Sequence, residues 1–170
     1  FLTYPLPEIE KFLEVKSAVF IPFAAVKFSY DKFTKMVAER FNRMNIEIKG
    51  IHEFDDKISA MENAEAIITG GGNTFHLVSK LEEYKLMDVI RKKVQSGTPY
   101  VGWSAGSNLA CPTIRTTNDM PIVEPDSFNV LDLIPYQINP HYTDYVDKNH
   151  GGETRDDRII EFTYANKDMY

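Results

Sequence analysis

A chain of 170 residues with a net charge of −6 is long enough to bury one real core and carries the wrong sign of charge for a binder of nucleic-acid phosphates. Its 43% apolar and 26% charged residues are the balance of a globular protein, and no apolar run approaches the length of a membrane span. The single cysteine excludes a disulfide framework and sets the expectation of a reducing, cytoplasmic setting.

No signal peptide is visible at the start. The chain opens on Phe1 and closes on Tyr170, so it reads as one domain, 1–170, incomplete at both ends. Pro5 and Pro7 interrupt the first residues, and 9–13 read as a helix remnant. Residues 17–22, SAVFIP, form a strand-type run closed by proline. Phe33, Met36, Val37, Phe41 and Met44 recur at helical spacing, which predicts a helix over 31–44 that Ser29 or Asp31 can cap. Ile46, Ile48 and Ile51 alternate loosely, as in a second strand, and 56–63 predict a short helix. Residues 66–69 (AIIT) are a third strand, closed by Gly70, Gly71 and Gly72. Helical period returns over 74–81 and 86–95, a fourth strand over 99–103, and a helical start over 105–110. The stretch 114–136 is loop-rich, 137–139 predict a brief strand, and 153–162 a last helix. Strands alternating with helices favour an α/β domain with a mostly parallel sheet, whose working residues sit at the carboxyl ends of strands.

Candidates lie at those ends. GWSAG, with Ser104 between Gly102 and Gly106, fits the pattern that sets a nucleophile on a sharp strand-to-helix turn. Small neighbours are needed where such a helix passes close to the strand, and the N–H of Ala105 can point at a developing oxyanion. The bland alternative is a turn and nothing more. A serine nucleophile needs a base, and of the four histidines His141 emerges from a proline-stiffened turn in INPHYTD. Its alternative is a packing or capping histidine. His76 follows the glycine loop, and His52 and His150 sit in polar or glycine-rich loops. The run Gly70-Gly71-Gly72-Asn73-Thr74 lacks the lysine and spacing of a phosphate loop. It can still bind phosphate through its N–H groups, complete an oxyanion hole, or simply turn. Cys111 reads as a small buried hydrophobe.

Four segments together are more specific than any one pattern. ITGGGNTFHL, VGWSAGSNLACPTIRTTNDMPIV, INPHYTD and GGETRDDRI resemble peptidase E, the α-aspartyl dipeptidase family of serine peptidases. The resemblance runs over about 17–162. It implies a flavodoxin-like three-layer sandwich related to class I glutamine amidotransferases, with the nucleophile elbow after a central strand. It implies cleavage of Asp-Xaa dipeptides with no metal and no cofactor. Carried onto this sequence, Ser104 is the nucleophile, His141 the general base, and Gly72 and Ala105 the oxyanion donors. For the acid of the triad it leaves two choices, Asp119 in TTNDMP or a glutamate in a segment beyond Tyr170. The family's first strand would precede residue 1. A substrate β-carboxylate calls for a guanidinium, and of Arg115 and Arg155 the resemblance favours Arg155. The expected partner is a small peptide, not nucleic acid or membrane. The rivals are a cyanophycinase-like serine hydrolase of the same fold, a non-catalytic small-molecule binder, and a phosphate-ligand domain using GGGNT.

Overall fold

The run around Phe20 owes its unbroken apolar character to being covered on both sides. In the computed structural model, which describes residues 5–145 and 151–169, it becomes strand β1 (Ser17–Ile21). Val19 and Ile21 face one core cluster, while Ala18 and Phe20 face another. A strand buried on both faces reads as a continuous apolar run, not an alternating one. β2 (Glu47–Gly50), β3 (Ile67–Thr69) and β4 (Tyr100–Gly102) join it in the order β2-β1-β3-β4. All the pairings are parallel, and the order is that of the first four strands of a flavodoxin-like sheet.

Helices cover both faces. α1 (Leu6–Phe12) and α2 (Tyr30–Phe41) bring Ile9, Phe33, Val37 and Phe41 onto the face of Phe20 and Ile68. α3 (Lys57–Glu62), α4 (Thr74–Glu83), α5 (Met87–Gln95) and α6 (Ala105–Ala110) bring Met61, Leu77, Leu81, Ile90 and Leu109 onto the face of Ile21 and Ile67. The parallel α/β sheet expected from the alternation of elements, and the three layers that the family resemblance implies, are therefore present, with each helix contributing one apolar stripe. No helix among the described residues is long and apolar enough to cross a membrane.

The predicted helix over 31–44 ends earlier. α2 stops at Phe41, tightens into a 3-10 turn over Asn42–Met44, and is closed by Asn45 in the left-handed region with φ 57°. Ser29 is its cap, accepting from the Lys32 N–H at 3.2 Å, while Asp31 pairs with His52 Nε2 at 2.8 Å. The predicted strand at 137–139 does not form. The Ile138 carbonyl accepts from Asn108 Nδ2 and Thr116 Oγ1 at 2.8 and 2.7 Å, and its N–H donates to Cys111 Sγ at 3.3 Å. Side chains thus satisfy the backbone that a neighbouring strand would otherwise pair. The loop-rich stretch is as predicted, with an antiparallel bridge between Thr113 and Asn129 and Arg91 donating to the carbonyls of Val130 and Leu131 at 2.8 and 3.0 Å. α7 (Arg155–Ala165) opens on a Thr154–Asp157 capping box and buries no residue.

Register sets where the loops leave the sheet. Ile21, Thr69 and Gly102 lie in one row across β1, β3 and β4, so the three following loops emerge side by side at the carboxyl edge. α6 is drawn down onto this edge by glycine. A Cβ on Gly106 would collide with the carbonyl oxygen of Thr69, and one on Gly102 with the carbonyl of Gly106. Gly106→Ala is expected to destabilise the fold by about 1–3 kcal/mol, the usual cost of overpacking. A thermal melt should show Tm lowered by about 2–4 °C for each kcal/mol; an unchanged Tm would contradict the close approach.

Candidate active site

Ser104 joins β4 to α6 with φ 54° and ψ −115°, backbone angles that cost a non-glycine residue about 1–3 kcal/mol and persist only where the surroundings impose them. The imposing contacts are those of Gly102 and Gly106 below it. On the side of α2, Trp103 stacks on Phe20 with ring centroids 6.1 Å apart. Tyr100 donates its hydroxyl to the Gly106 carbonyl at 2.7 Å, and burial pushes its phenol pKa up. Ser104 occupies the cap position of α6, yet its side chain caps nothing. Its carbonyl takes the N–H groups of Ser107 and Asn108 instead, at 2.9 and 3.1 Å. The hydroxyl is left for another partner.

That partner is His141. Its Nε2 lies 2.9 Å from Ser104 Oγ, close enough for direct proton transfer between them. His141 also has a left-handed backbone, φ 58°. The carbonyl just before it, that of Pro140, accepts from Asn118 Nδ2 at 2.7 Å. Two strained residues 37 apart in sequence thus meet side chain to side chain.

The glycine loop closes the other side of the serine. A Cβ on Gly71 would stand 2.9 Å from Ser104 Cβ, and Gly72, with φ 143°, has the Ala24 carbonyl where its Cβ would be. Among the described residues neither the Gly72 N–H nor the Ala105 N–H has an intramolecular acceptor. Unclaimed N–H donors near a nucleophile are what an oxyanion hole requires.

Asp119 is placed elsewhere than beside the imidazole. Its Oδ2 accepts from the Thr74 N–H at 2.7 Å, from Thr74 Oγ1 at 2.6 Å and from Thr117 Oγ1 at 3.1 Å. No carboxylate among the described residues lies within hydrogen-bond reach of His141. Asp119 sits instead at the N-terminal end of α4, where a negative charge is favourable, and fastens the start of that helix behind Gly72. The same carboxylate disposes of the phosphate reading of GGGNT. The α4 N-terminus already holds an anion, and the His76 N–H is taken by Asn73 Oδ1 at 3.0 Å.

Arg155 is the first residue of α7 and is half-buried. Its guanidinium donates to Asn118 Oδ1, so it stands next to the turn that carries His141. Arg115 reaches Asn166 Oδ1 at 3.1 Å on the surface. His76 is engaged through Nδ1 with the Phe23 carbonyl at 2.6 Å, and His150 lies outside the described residues. Cys111 is fully buried, and burial pushes its thiol pKa up, the setting of an inert packing cysteine. Sequence reasoning missed Asn118, Thr74 and Thr117. For Asn118 and Thr117 the only signal was the unbroken polar run TTND, and for Thr74 its place at the end of GGGNT; such groups gain meaning from neighbours remote in the chain.

A parallel α/β sheet that presents a strained serine, a histidine in contact with it and two free N–H groups at its carboxyl edge has the layout of a hydrolase. The chain belongs to peptidase family S51, whose profile matches residues 2–170. Proteins named peptidase E are similar to it throughout. One from a Nostoc species is 52% identical over 172 residues, covering all of this chain and 71% of the relative. One from Salmonella paratyphi A is 51% identical over 161 residues, covering 94% of this chain and 70% of the relative. A solved structure from Listeria monocytogenes, whose name assigns it provisionally to peptidase E, shares the fold with a TM-score of 0.69 at 21% identity. It matches 97% of this chain over 83% of its own.

The two positions open to an acidic residue predict different results. Amidating a carboxylate that steers the catalytic imidazole costs about 10⁴-fold in turnover. Asp119→Asn, which weakens charged hydrogen bonds to Thr74, is expected to cost about tenfold. It should also lower Tm and leave the acid limb of the pH–rate profile in place. A 10⁴-fold loss at unchanged Tm would put Asp119 back beside His141.

Proposed function

We propose that this peptidase is a serine-type dipeptidase that hydrolyses Asp-Xaa dipeptides through an acyl-enzyme. It acts on small peptides in the cytoplasm, with no call for nucleic acid, membrane, metal or cofactor. The observation that carries the reading is the 2.9 Å approach of His141 Nε2 to Ser104 Oγ at a strained elbow. The names of the peptidase E relatives support the choice of a peptide substrate.

His141 accepts the Ser104 proton as Oγ attacks the scissile carbonyl. The oxygen of that carbonyl becomes negative and is met by the Gly72 and Ala105 N–H groups, each worth about 10²–10³ in turnover. His141⁺ returns its proton to the leaving amine of the second residue, and the C–N bond breaks. Water, deprotonated by the same imidazole, then attacks the aspartyl ester and frees Ser104. Asp119 holds the Gly72 loop in register through Thr74, a positioning role.

The β-carboxylate of the substrate pairs with Arg155. The charge balance of the whole chain is unfavourable to an anion, so the affinity must come from a local cation. Arg155 can supply it, because its resting acceptor, Asn118 Oδ1, is neutral. A carboxylate forms the stronger charge-assisted bond and displaces that amide.

Ser104→Ala is expected to cut turnover of aspartyl p-nitroanilide by about 10⁶-fold, as loss of a nucleophile does, while the variant still binds Asp-Xaa by calorimetry. Turnover close to that of the parent protein would sink the serine mechanism. Arg155→Met is expected to reduce kcat/KM for aspartyl substrates by about 10²–10³, the loss that follows truncating one partner of a charged pair. It should leave alanyl p-nitroanilide at its own low rate. An equal loss on both substrates would show that Arg155 does not read the aspartate.

A further inference from the structure

The side chain of Asn118 stands where three segments converge. Its Oδ1 accepts from Arg155 and, at 3.1 Å, from Asn139 Nδ2. Its Nδ2 donates to the Pro140 carbonyl at 2.7 Å. Asn139 Nδ2 reaches the Thr116 carbonyl as well, at 2.9 Å, so the loop with Asn118 and the turn before His141 are laced together. We propose that Asn118 is a positioning residue that couples recognition of the substrate carboxylate to alignment of the base, its oxygen setting Arg155 and its N–H setting the turn of His141. This rests on the dipeptidase reading for the role of Arg155, though not for the contact with the His141 turn.

The surroundings make the amide necessary. α7 has no fully buried residue, and only Ile159 and Phe162 among its apolar side chains are half-buried, so apolar packing holds Arg155 only loosely to the sheet. Its other ties to this region are exposed polar contacts, Arg115 to Asn166 and Tyr142 to Asp156 at 3.1 and 2.8 Å. His141 is equally dependent, since its left-handed backbone, φ 58°, needs an imposed turn, and no strand forms before it. Only a group that both accepts and donates can hold the two at once, and among side chains of this size that is an amide. Aspartate would keep the oxygen but lose the donor to Pro140, and its charge would pair with Arg155 and compete with the substrate. Alanine would release both. A misplacement of about 1 Å in such a site costs about 10²-fold.

Two variants of the full chain separate these functions, each checked for folding by circular dichroism. KM for aspartyl p-nitroanilide reads Arg155. The rate at which a fluorophosphonate labels Ser104 reads the serine–histidine pair alone, because that probe carries no carboxylate. Asn118→Ala is expected to slow labelling about 10- to 100-fold and to raise KM. Asn118→Asp, nearly the same size, is expected to slow labelling similarly and to raise KM further than alanine does, because the new charge occupies Arg155. Parental values of both quantities in both variants would overturn the proposal. So would a shift in KM with parental labelling, since the amide would then serve Arg155 alone. If Asn118→Ala does not fold, Asn118→Asp carries the test. Failure of the dipeptidase reading looks different: the parent protein would not cleave the substrate, or Ser104→Ala still would, whereas the labelling arm reads the His141 turn in either case.

Discussion

The carbonyl oxygen of Thr69 and the bare Cα of Gly106 approach so closely that no side chain fits between them, and the candidate site depends on that contact. It brings α6 down onto β3 directly after β4 ends. The chain therefore has only Trp103 and Ser104 in which to reverse from strand to helix, and one of them takes the strain. That residue is Ser104, and its φ of 54° records the cost. A helix set farther from the sheet would let the turn relax, the serine would cap α6 in the ordinary way, and its hydroxyl would be spent on a backbone N–H. Strain at one backbone position and availability of one side chain are here the same fact.

The sheet supplies the second constraint. Parallel strands in register end together, and the row of Ile21, Thr69 and Gly102 puts the loop after β1, the glycine loop and the elbow at one level. Each loop then limits the next. Ala24 fills the space that would belong to a side chain on Gly72, and Ser104 fills much of that on Gly71. The glycine run is thus explained by neighbours on either side, one from the first loop and one from the third. Gly70 and Asn73 donate to the Ile21 and Ala24 carbonyls, so the loop is tied at both ends while the Gly72 N–H between them has no acceptor among the described residues, and Asp119 secures the helix behind.

Much of this was legible in the sequence, and the part that was not has a common cause. The strands at Phe20 and Ile68 were readable because burial on both faces writes a continuous apolar run, and the half-buried strand at Val101 because its short apolar run ends at a glycine turn. The helices were readable because Phe33, Val37 and Phe41 keep a 3.6-residue period. GWSAG could be understood from sterics alone, as could a histidine after Pro140. Beyond the pairing of Ser104 with His141 and the Ser29 cap, what failed were inferences about which polar group meets which. Residues 137–139 have strand-like character, yet Asn108, Thr116 and Cys111 take the backbone bonds of Ile138 at their centre. Asp119 is the residue type that steers an imidazole, yet it binds Thr74, 45 positions away. Hydrophobic pattern is a local property of the chain, whereas a hydrogen bond is a property of two distant places. Asn118 was invisible for that reason, since nothing about a lone amide in TTND says that its two ends face an arginine and a carbonyl.

The arrangement of charge follows a consistent logic. The chain carries a net charge of −6, and a carboxylate already lies behind the glycine loop. An anionic substrate would be repelled from such a surface unless a cation stood ready and unspent. The described partner of Arg155 is an amide rather than an acid, in contrast with the exposed pairs Arg91–Asp88 and Lys80–Glu83 elsewhere on the surface. A guanidinium held by a neutral oxygen is aligned without being neutralised. On the proposed reading of Arg155, an incoming carboxylate would exchange a weak bond for a strong one, with little reorganisation. The Asp119 carboxylate does not undo this, because two hydroxyls and an N–H already satisfy it, leaving its charge directed into α4. A fixed anion that secures the start of α4 behind the glycine loop and a neutral amide that aligns a guanidinium thus lie a single residue apart in the chain, at Asp119 and Asn118.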